Sequence, residues 1–580
     1  MKKIILIFLV LAGNILGQNS SIDPLSVARK IADRVINETT FELVTTEQKP
    51  ALGLQVIDFN KAFEGKDVKY AYSFSSIKVN ERMHLKFGIS YSSPLEVWVN
   101  DKPVFRTDKR TELQFREIGY SVFSFQKTFR VNLNKGSNRI VVKSSLEGNP
   151  VIFIREITQG EENTNSTFEP LFKEPHSTWN WCFESAKEKY SEGISSYLPK
   201  SYLNRIYSGN QSLKDSLIFI KPCSIKKLAS NPKAIYKKDQ LADWNYFNGA
   251  LMMTMMKLWK ASGDEKYLRH VEKYCSFINE NIPLFRRQYF EDHDLRTSYY
   301  RIFRKCMLDD AGAPALPFAE VEIENHTHDY DSLLSVMADY VLREQSRLPD
   351  GTLCRPDPVM STVWADDLFM SVPLLVRMGA LTNQRKYFDD AARQIVNFHK
   401  YLFDAKKKLY KHGWFSKTNQ KSKIFWGRAN GWIVWAESEA LAYLPKTHPS
   451  YKKIENIFKT HLKGIMKNQD ESGLWHQILD DTSSFEETSS SAMFIACIAR
   501  AIRTGILDTT YSGNVFRAWR GLQSKVSNNG IVKDICCGTG IGMNAEFYKS
   551  RDRYENDPHG LGAVIIAAVE VSALQKFLDK

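Results

Sequence analysis

Residues 246–278 read YFNGALMMTMMKLWKASGDEKYLRHVEKYCSFI. Apolar residues recur here at intervals of three and four, which predicts two amphipathic helices joined at the turn SGDEKY. Residues 368–403, LFMSVPLLVRMGALTNQRKYFDDAARQIVNFHKYLF, repeat this pattern with TNQRKY at the equivalent turn. Recurrence of one supersecondary unit indicates a repeat architecture. We therefore predict an all-α toroid of helical hairpins over residues 176–580, with functional loops gathered at one end.

The sequence before this region has a different pattern of apolar and polar residues. Residues 84–105, HLKFGISYSSPLEVWVNDKPVF, and residues 123–146, FSFQKTFRVNLNKGSNRIVVKSSL, alternate apolar and polar positions and contain turn residues. Such short alternating strands predict a jelly-roll-like β-sandwich, which we assign to residues 19–165. A polar stretch follows, and residues 166–175 are the predicted linker. The fold class is therefore multidomain, a sandwich followed by a toroid.

The first residues, MKKIILIFLVLAGNILGQNS, combine two lysines, a short apolar run and small residues. This pattern predicts a signal peptide over residues 1–18 and a secreted or periplasmic protein with no membrane contact after cleavage. The formal charge of +13 is spread along the chain without a basic block, so no nucleic-acid partner is predicted. An anionic oligosaccharide is a compatible partner.

Eight cysteines occur without a CxxC pair or a zinc-like Cys/His spacing, so we predict no metal and no cofactor. A disulfide and buried free thiols remain alternatives for these cysteines.

Two pairs of adjacent aspartates lie among apolar residues. Asp366 and Asp367 are part of STVWADDLFMSV, and Asp309 and Asp310 are part of CMLDDAG. Neighbouring helical positions diverge by about 100°, so at most one member of a pair points inward. Burying an ionised carboxylate is costly unless it is paired. Each doublet either caps a helix N-terminus or supplies a carboxylate for acid–base chemistry.

Loops rich in aromatic residues carry the other candidates. Arg428 lies between two tryptophans in FWGRANGW. This pattern favours a guanidinium that binds a carboxylate through two hydrogen bonds, with aromatic rings stacking beside it. The alternative is a surface arginine lying over an indole ring. The stretch DICCGTGIG lacks a lysine after its glycines, so it is not a phosphate loop; it predicts a tight turn near the pocket floor. Related motifs supply further sugar-binding candidates, namely Trp244, Asn248, His412, Trp426, Trp432 and His476.

Several motifs together resemble one enzyme family. WADDLFMSVPLL, HGWF, WGRANGW, LWHQILDD, GTGIG and NDPHGLGA occur in that order from about residue 240 to the C-terminus. They resemble glycoside hydrolase family 105, the unsaturated rhamnogalacturonyl hydrolases, and the related family 88. The resemblance implies six helical hairpins, an (α/α)6 toroid. It also implies hydrolysis of a 4,5-unsaturated uronic acid, left at a chain end by a polysaccharide lyase, through protonation at C4 and addition of water at C5.

The resemblance also implies roles for individual residues. The acid/base aspartate of the family falls on Asp366 and the second aspartate on Asp309, with Asp310 as an alternative. Arg355, within Cys354-Arg355, occupies the place where relatives often carry His-Lys. Residues that the resemblance places around the sugar ring and its carboxylate are Trp244, Asn248, His412, Trp426, Arg428 and Trp432.

A proton donor near neutral pH requires a raised pKa, so we expect apolar walls to raise the pKa of Asp366. We expect Arg428 to contact the substrate carboxylate rather than Asp366. Two other functions stay open from the sequence, a polysaccharide lyase on the same toroid and a carbohydrate-binding protein without catalysis. The polysaccharide also stays open among rhamnogalacturonan, ulvan-type chains, glycosaminoglycan-like fragments and arabinogalactan side chains.

Overall fold

A computed structural model describes residues 23–47, 53–62, 68–119, 122–146, 148–158, 164–170, 178–185, 218–222 and 241–580. The predicted signal peptide lies outside these residues. The prediction of a multidomain protein is confirmed, because strands dominate the first part of the described chain and helices dominate residues 241–580.

The N-terminal part contains antiparallel strands in two main sheets. One sheet has the order β12-β3-β10-β5-β6, with β13 also pairing with β3, and the other has the order β2-β11-β4-β9. A hairpin of β7 and β8 lies apart from both sheets, and β1 pairs with β14. The strands are β1 Leu43–Glu47, β2 Gln55–Asp58, β3 Val68–Val79, β4 Met83–Tyr91, β5 Leu95–Val99, β6 Lys102–Thr107, β7 Phe115–Glu117, β8 Phe123–Phe125, β9 Lys127–Leu133, β10 Gly136–Ser145, β11 Val151–Glu156, β12 Thr167–Glu169, β13 Asn180–Ser185 and β14 Ile218–Pro222.

The inward faces of the two sheets form the sandwich core. Ile77 and Val97 from the longer sheet belong to one buried cluster with Phe87 and Ile154 from the other. Alternate residues along each strand face this core, which is why the period of two was visible in the sequence. The predicted linker at 166–175 is wrong in part: β12 and β13 extend the sandwich to residue 185, since both pair with β3.

The helical part contains a closed inner ring. Among the described residues, α3, α6, α8, α10, α12 and α15 contact one another in that order, and α15 returns to α3. The helices are α1 Pro24–Glu38, α2 Phe59–Ala62, α3 Tyr246–Ser262, α4 Glu265–Phe290, α5 Tyr300–Arg304, α6 Leu316–Asn325, α7 Asp331–Asp339, α8 Val372–Thr382, α9 Arg385–Leu402, α10 Gly427–Tyr443, α11 Tyr451–Lys467, α12 Thr488–Arg503, α13 Ser512–Ser524, α14 Ala545–Lys549 and α15 Pro558–Leu578. Short strands in the loops are β15 Thr362–Trp364, β16 Phe403–Asp404, β17 Leu409–Tyr410, β18 Gly413–Phe415, β19 Gln420–Lys421, β20 Ile535–Cys536 and β21 Arg553–Tyr554.

The two predicted hairpin turns end their helices in the same way. Gly263 ends α3 in the left-handed conformation (φ 69°), and Asn383 ends α8 in the same conformation (φ 54°). Glycine and asparagine tolerate this backbone region better than other residues. The side chain of Asp264 then accepts a hydrogen bond from the backbone N–H of Lys266 and caps α4. The predicted toroid of hairpins is confirmed.

The N-terminal helix belongs to the toroid and not to the sandwich. Leu25, Ala28, Ile31 and Val35 of α1 are part of the same buried cluster as the ring helices, and α1 contacts α15 and α3. Our start of the sandwich at residue 19 is therefore wrong. Helix α15 is long and apolar enough to cross a membrane by length and composition, yet 72% of its apolar window is buried inside the protein. Helix α1 covers part of this apolar surface.

Candidate active site

One end of the ring encloses a cavity of about 270 Å³. This volume lies just below the usual range for ligand pockets, about 300–1,000 Å³, and fits one sugar unit better than a long chain. Most lining residues lie at the N-terminal ends of inner helices or in the loops before them, where exposed backbone N–H groups favour anions. The lining residues are Tyr246, Asp309, Arg355, Trp364, Asp366, Met370, Trp426, Arg428, Trp432, Gly538, Thr539, Gly540 and His559.

Both aspartate doublets divide in the same way. Asp366 and Asp309 line the cavity, whereas Asp367 and Asp310 are fully buried behind them. Each buried carboxylate pairs with an arginine: Asp310 accepts hydrogen bonds from Arg304, and Asp367 accepts them from Arg355. The second carboxylate that lines the cavity is therefore Asp309, and its role in the reaction stays a prediction. Asp367 is a hydrogen-bonded support.

Arg355 connects the two doublets. Its Nε and Nη2 atoms lie 2.9 and 2.6 Å from Oδ1 of Asp367, and Nη2 also lies 3.0 Å from Oδ1 of Asp309. Its guanidinium lies over the ring of Trp364, with 4.3 Å between the guanidinium carbon and the ring centre. One cation thus holds carboxylates from two separate loops. Burial raises the pKa of Asp367, and the nearby Asp309 and Asp366 carboxylates raise it further against the effect of Arg355.

His412 lies directly behind Asp366. Its Nε2 is 3.2 Å from Oδ2 of Asp366, an ion-pair distance when His412 is protonated, and neither atom has another hydrogen-bond partner among the described residues. Its Nδ1 is 2.8 Å from the hydroxyl of Tyr548, which in turn accepts a hydrogen bond from the N–H of Gly542. The Tyr548 hydroxyl can donate to Nδ1 or accept from it, depending on the imidazole tautomer. In both cases the contact fixes the orientation of the His412 ring, with Nε2 facing Asp366.

The expected rise in the pKa of Asp366 is wrong. Burial raises the pKa of this carboxyl, but His412, Arg355 and Arg428 together outweigh burial, so the pKa lies below its ordinary value. The aromatic walls are present as expected. The sequence did not reveal that three basic groups also converge on this carboxyl.

Arg428 lines the cavity and also fixes its wall. Its Nη1 and Nη2 donate hydrogen bonds to the carbonyls of Cys536 and Cys537, at 2.7 and 2.5 Å. Its guanidinium lies over Trp426, as the loop motif predicted. The loop after these cysteines contributes Gly538, Thr539 and Gly540 to the cavity, in agreement with its predicted place near the pocket floor. Contact of Arg428 with a substrate carboxylate stays a prediction.

The structure brings six of the ten predicted site residues to the cavity and leaves four outside its lining. Trp244 is buried and donates a hydrogen bond to the carbonyl of Asp310, and Asn248 donates one to the carbonyl of Asp243. His476 contacts Ser484 and Asp470. These three side chains are buried against the loop backbone and other side chains, so they support the loops and do not line the cavity. His412 is not among the lining residues, but it contacts Asp366, which lines the cavity. The six lining residues are Asp309, Arg355, Asp366, Trp426, Arg428 and Trp432.

Sequence reasoning missed a second hydrogen-bonded chain at the cavity wall. The hydroxyl of Tyr246 lies 2.5 Å from Nε2 of His559, and Nδ1 of His559 lies 2.5 Å from Oδ1 of Asp557. Tyr246 is the first residue of the helical stretch at 246–278, and His559 is part of NDPHGLGA, so both lie within segments that the sequence analysis identified. Trp364, next to Asp366, was missed in the same way.

Comparisons with known proteins agree with the motifs. A profile described as Glycosyl Hydrolase Family 88 matches residues 224–575. An unsaturated rhamnogalacturonyl hydrolase from Bacillus subtilis is 34% identical over 241 residues, which cover 40% of this chain and 68% of the relative. An unsaturated 3S-rhamnoglycuronyl hydrolase from an Alteromonas species is 28% identical over 322 residues, 54% of this chain and 74% of the relative.

A solved structure has a similar fold. A possible member of the GH105 family from Salmonella enterica superposes with a TM-score of 0.51 at 23% identity, covering 59% of this chain and 85% of that chain. At this identity, the similarity concerns the fold alone.

Replacing Tyr548 by phenylalanine tests the hydrogen-bonded chain behind Asp366. The variant leaves Nδ1 of His412 buried without its Tyr548 partner, so the orientation of the imidazole beside Asp366 is no longer fixed. We expect kcat to fall about tenfold with little change in KM, as measured by steady-state kinetics. Tyr554→Phe is the matched control, since it removes a hydroxyl from the same segment away from the cavity. Equal kinetics for the two variants would contradict a role for this chain in turnover.

Proposed function

The chain belongs to the unsaturated glycuronyl hydrolases of glycosyl hydrolase families 88 and 105, and from that premise we propose that it removes one 4,5-unsaturated uronic acid from the non-reducing end of lyase-generated oligosaccharides. Membership in this group rules out the lyase and the non-catalytic binding protein as its main function. The observation that carries the proposal is the position of Asp366, whose carboxyl lines a cavity for one sugar beside Asp309 and two arginines.

The reaction requires one proton donor and one water molecule. Asp366 donates a proton to C4 of the vinyl ether, and positive charge develops at C5 and the ring oxygen. Water then adds at C5 as the Asp366 carboxylate takes a proton from it, which regenerates the acid. The resulting hemiketal opens and releases the rest of the oligosaccharide. A single carboxyl thus acts as acid and then as base. The proposed roles of Asp309 and Arg355 are to orient the sugar and to hold its charge.

The low pKa of Asp366 in the free protein is compatible with this role once the substrate is bound. The uronate carboxylate brings a negative charge next to the cations that stabilise ionised Asp366. Neutralising those cations leaves the burial of Asp366 unopposed, and burial favours the protonated acid. Substrate charge and acid strength are therefore coupled: the anionic substrate itself creates the proton donor.

The pH dependence of turnover tests this coupling. The acid must be protonated, so activity falls as pH rises through its pKa. Because kcat/KM reports the free enzyme and kcat reports the complex, we expect the alkaline limb of kcat to lie about one pH unit above that of kcat/KM. Asp552→Asn, an exposed change near the cavity loop, retains the same separation. Coincident limbs, or limbs in the reverse order, would rule the coupling out.

Asp366→Asn tests the proposed acid directly. The amide cannot donate the required proton, so the rate falls by about 10²–10⁴-fold. The measurement is the loss of ultraviolet absorbance from the 4,5-double bond of a lyase digest, with Asp552→Asn as the control of unchanged rate. An Asp366→Asn enzyme with most of its activity would refute the assignment. An increase in absorbance with the wild-type enzyme would instead identify lyase chemistry.

For the substrate, we propose a uronic acid linked to rhamnose. The two relatives named above are a rhamnogalacturonyl and a 3S-rhamnoglycuronyl hydrolase, and both names contain a rhamnosyl unit next to the uronate. On a panel of lyase digests, we expect turnover of rhamnogalacturonan or ulvan-type products and at least tenfold slower turnover of glycosaminoglycan products. Faster turnover of glycosaminoglycan products would overturn this preference.

Export is a separate part of the proposal. Its support is the signal-like pattern of residues 1–18. Sequencing the N-terminus of protein recovered from the periplasm or the medium checks it, and an intact residue 1 on the recovered protein would contradict it.

A further inference from the structure

The hairpin of β7 and β8 carries a buried carboxylate to the helical part. Glu117, the last residue of β7, is only 2% exposed. Its Oε1 and Oε2 lie 2.8 Å from Nη2 and Nη1 of Arg296, and its Oε1 lies 3.1 Å from Nη1 of Arg304. Both arginines belong to the segment between α4 and α6. A carboxylate from the sandwich therefore neutralises two cations of the toroid.

Arg304 extends this contact to the second aspartate doublet. Its Nη2 lies 2.6 and 2.8 Å from the two oxygens of Asp310, and its Nε lies 3.1 Å from Oδ2. The backbone N–H of Cys306 donates to the same carboxylate, and the indole N–H of Trp244 donates to the carbonyl of Asp310. Asp310 is thus held at its side chain and its backbone.

Asp309 precedes Asp310 in the single 3₁₀ turn Leu308–Asp310. In so short a turn, fixing one residue fixes the direction of its neighbour. Asp309 lines the cavity and contacts Arg355, which in turn holds Asp367 next to Asp366. A continuous series of ion pairs and two peptide links therefore runs from Glu117 in the sandwich to both cavity carboxylates.

A second contact links the hairpin to the other side of the cavity. A Cβ atom built on Gly119 would lie 2.6 Å from the Asp357 side chain, so the hairpin backbone packs directly against that residue. Asp357 lies in the segment that carries Arg355 and Trp364. Apolar residues on both sides of the interface support the contact, with Phe153 of the sandwich and Tyr289 of α4 in one buried cluster.

We propose that Glu117 is a positioning residue for the hydrolytic reaction, and that the sandwich is a structural component of the active site rather than a detachable sugar-binding module. The ion-pair series from Glu117 through Arg304 and Asp310 holds the turn of Asp309 in place. The inference rests on the proposed function for its kinetic assay, but its geometry is independent of the substrate.

Removing the charge of Glu117 is expected to affect the protonation of the cavity carboxylates. Glu117 and Asp310 are two carboxylates among several cations, so removing the charge of Glu117 leaves uncompensated positive charge beneath the cavity. Positive charge favours ionised carboxylates, which disfavours the protonated acid. The groups that face this pair are Arg155, Tyr289, Arg296, Arg301, Arg304, Lys305, Cys306 and Tyr340.

Glu117→Gln in the full chain tests the proposal. The substitution keeps the shape and removes the charge. We expect kcat to fall about tenfold with KM changed less than about twofold, because misplacement of a catalytic group reduces the rate of the chemical step more than binding. The alkaline limb of the pH profile moves to lower pH. Hydrogen–deuterium exchange becomes faster in residues 304–310, and this measurement needs no substrate.

Glu156→Gln is the matched control. Glu156 is also buried in the sandwich, but it accepts hydrogen bonds from Asn165 and Ser166, which belong to the sandwich itself. A comparable loss of stability is expected for both variants. Only Glu117→Gln should change kcat, the pH profile and the exchange at residues 304–310.

Two results would overturn the inference. The first is a Glu117→Gln enzyme with a lower melting temperature but wild-type kcat, pH profile and exchange, which would make the contact purely structural. The second is an identical response of the two variants in all three measurements. Failure of the proposed function would look different, since the wild-type enzyme would then not consume the double bond, while the exchange comparison would still test the role of Glu117.

Discussion

The pairing of Arg355 with Asp367 and Asp309 is the interaction on which the site depends. Three carboxylates within one buried region repel one another strongly, since the low dielectric of an interior gives little screening. A single guanidinium that reaches two of them removes most of that cost and fixes their geometry through directed hydrogen bonds. Removing one partner of such a pair leaves a buried charge without compensation, which costs free energy. The position of Arg355 therefore constrains both loops that carry the aspartates.

The ring architecture explains why these loops meet at all. Inner helices that begin at the same end bring their preceding loops together, so residues 309, 366, 428 and 559 line one cavity although they are far apart in the chain. Closure of the ring also recruits α1 from before the sandwich. The sandwich is consequently inserted between two parts of the toroid, and its hairpin contacts the cavity loops from outside. An inserted domain with buried ion pairs is poorly placed to move independently.

The carboxylates of the two aspartate doublets have different electrostatic surroundings. The buried members of the doublets, Asp310 and Asp367, pair with arginines, and the other members, Asp309 and Asp366, line the cavity. Asp366 is surrounded by basic groups that favour its ionised form. Such a site attracts an anion. In the proposed mechanism, the same electrostatic field both binds the uronate and, once that anion is bound, favours the protonated form of Asp366.

The sequence by itself determined the helical period, the hairpin turns at Gly263 and Asn383, the alternating strands and the family motifs, because these depend on residues close together in the chain. Only the tertiary structure decided that Asp309 faces the cavity while Trp244 and His476 do not, and that α1 completes the toroid. It also decided the low pKa of Asp366 and the link from Glu117 to Arg304. These features arise from contacts across tens to hundreds of residues, and local pattern contains no information about which distant charges will meet.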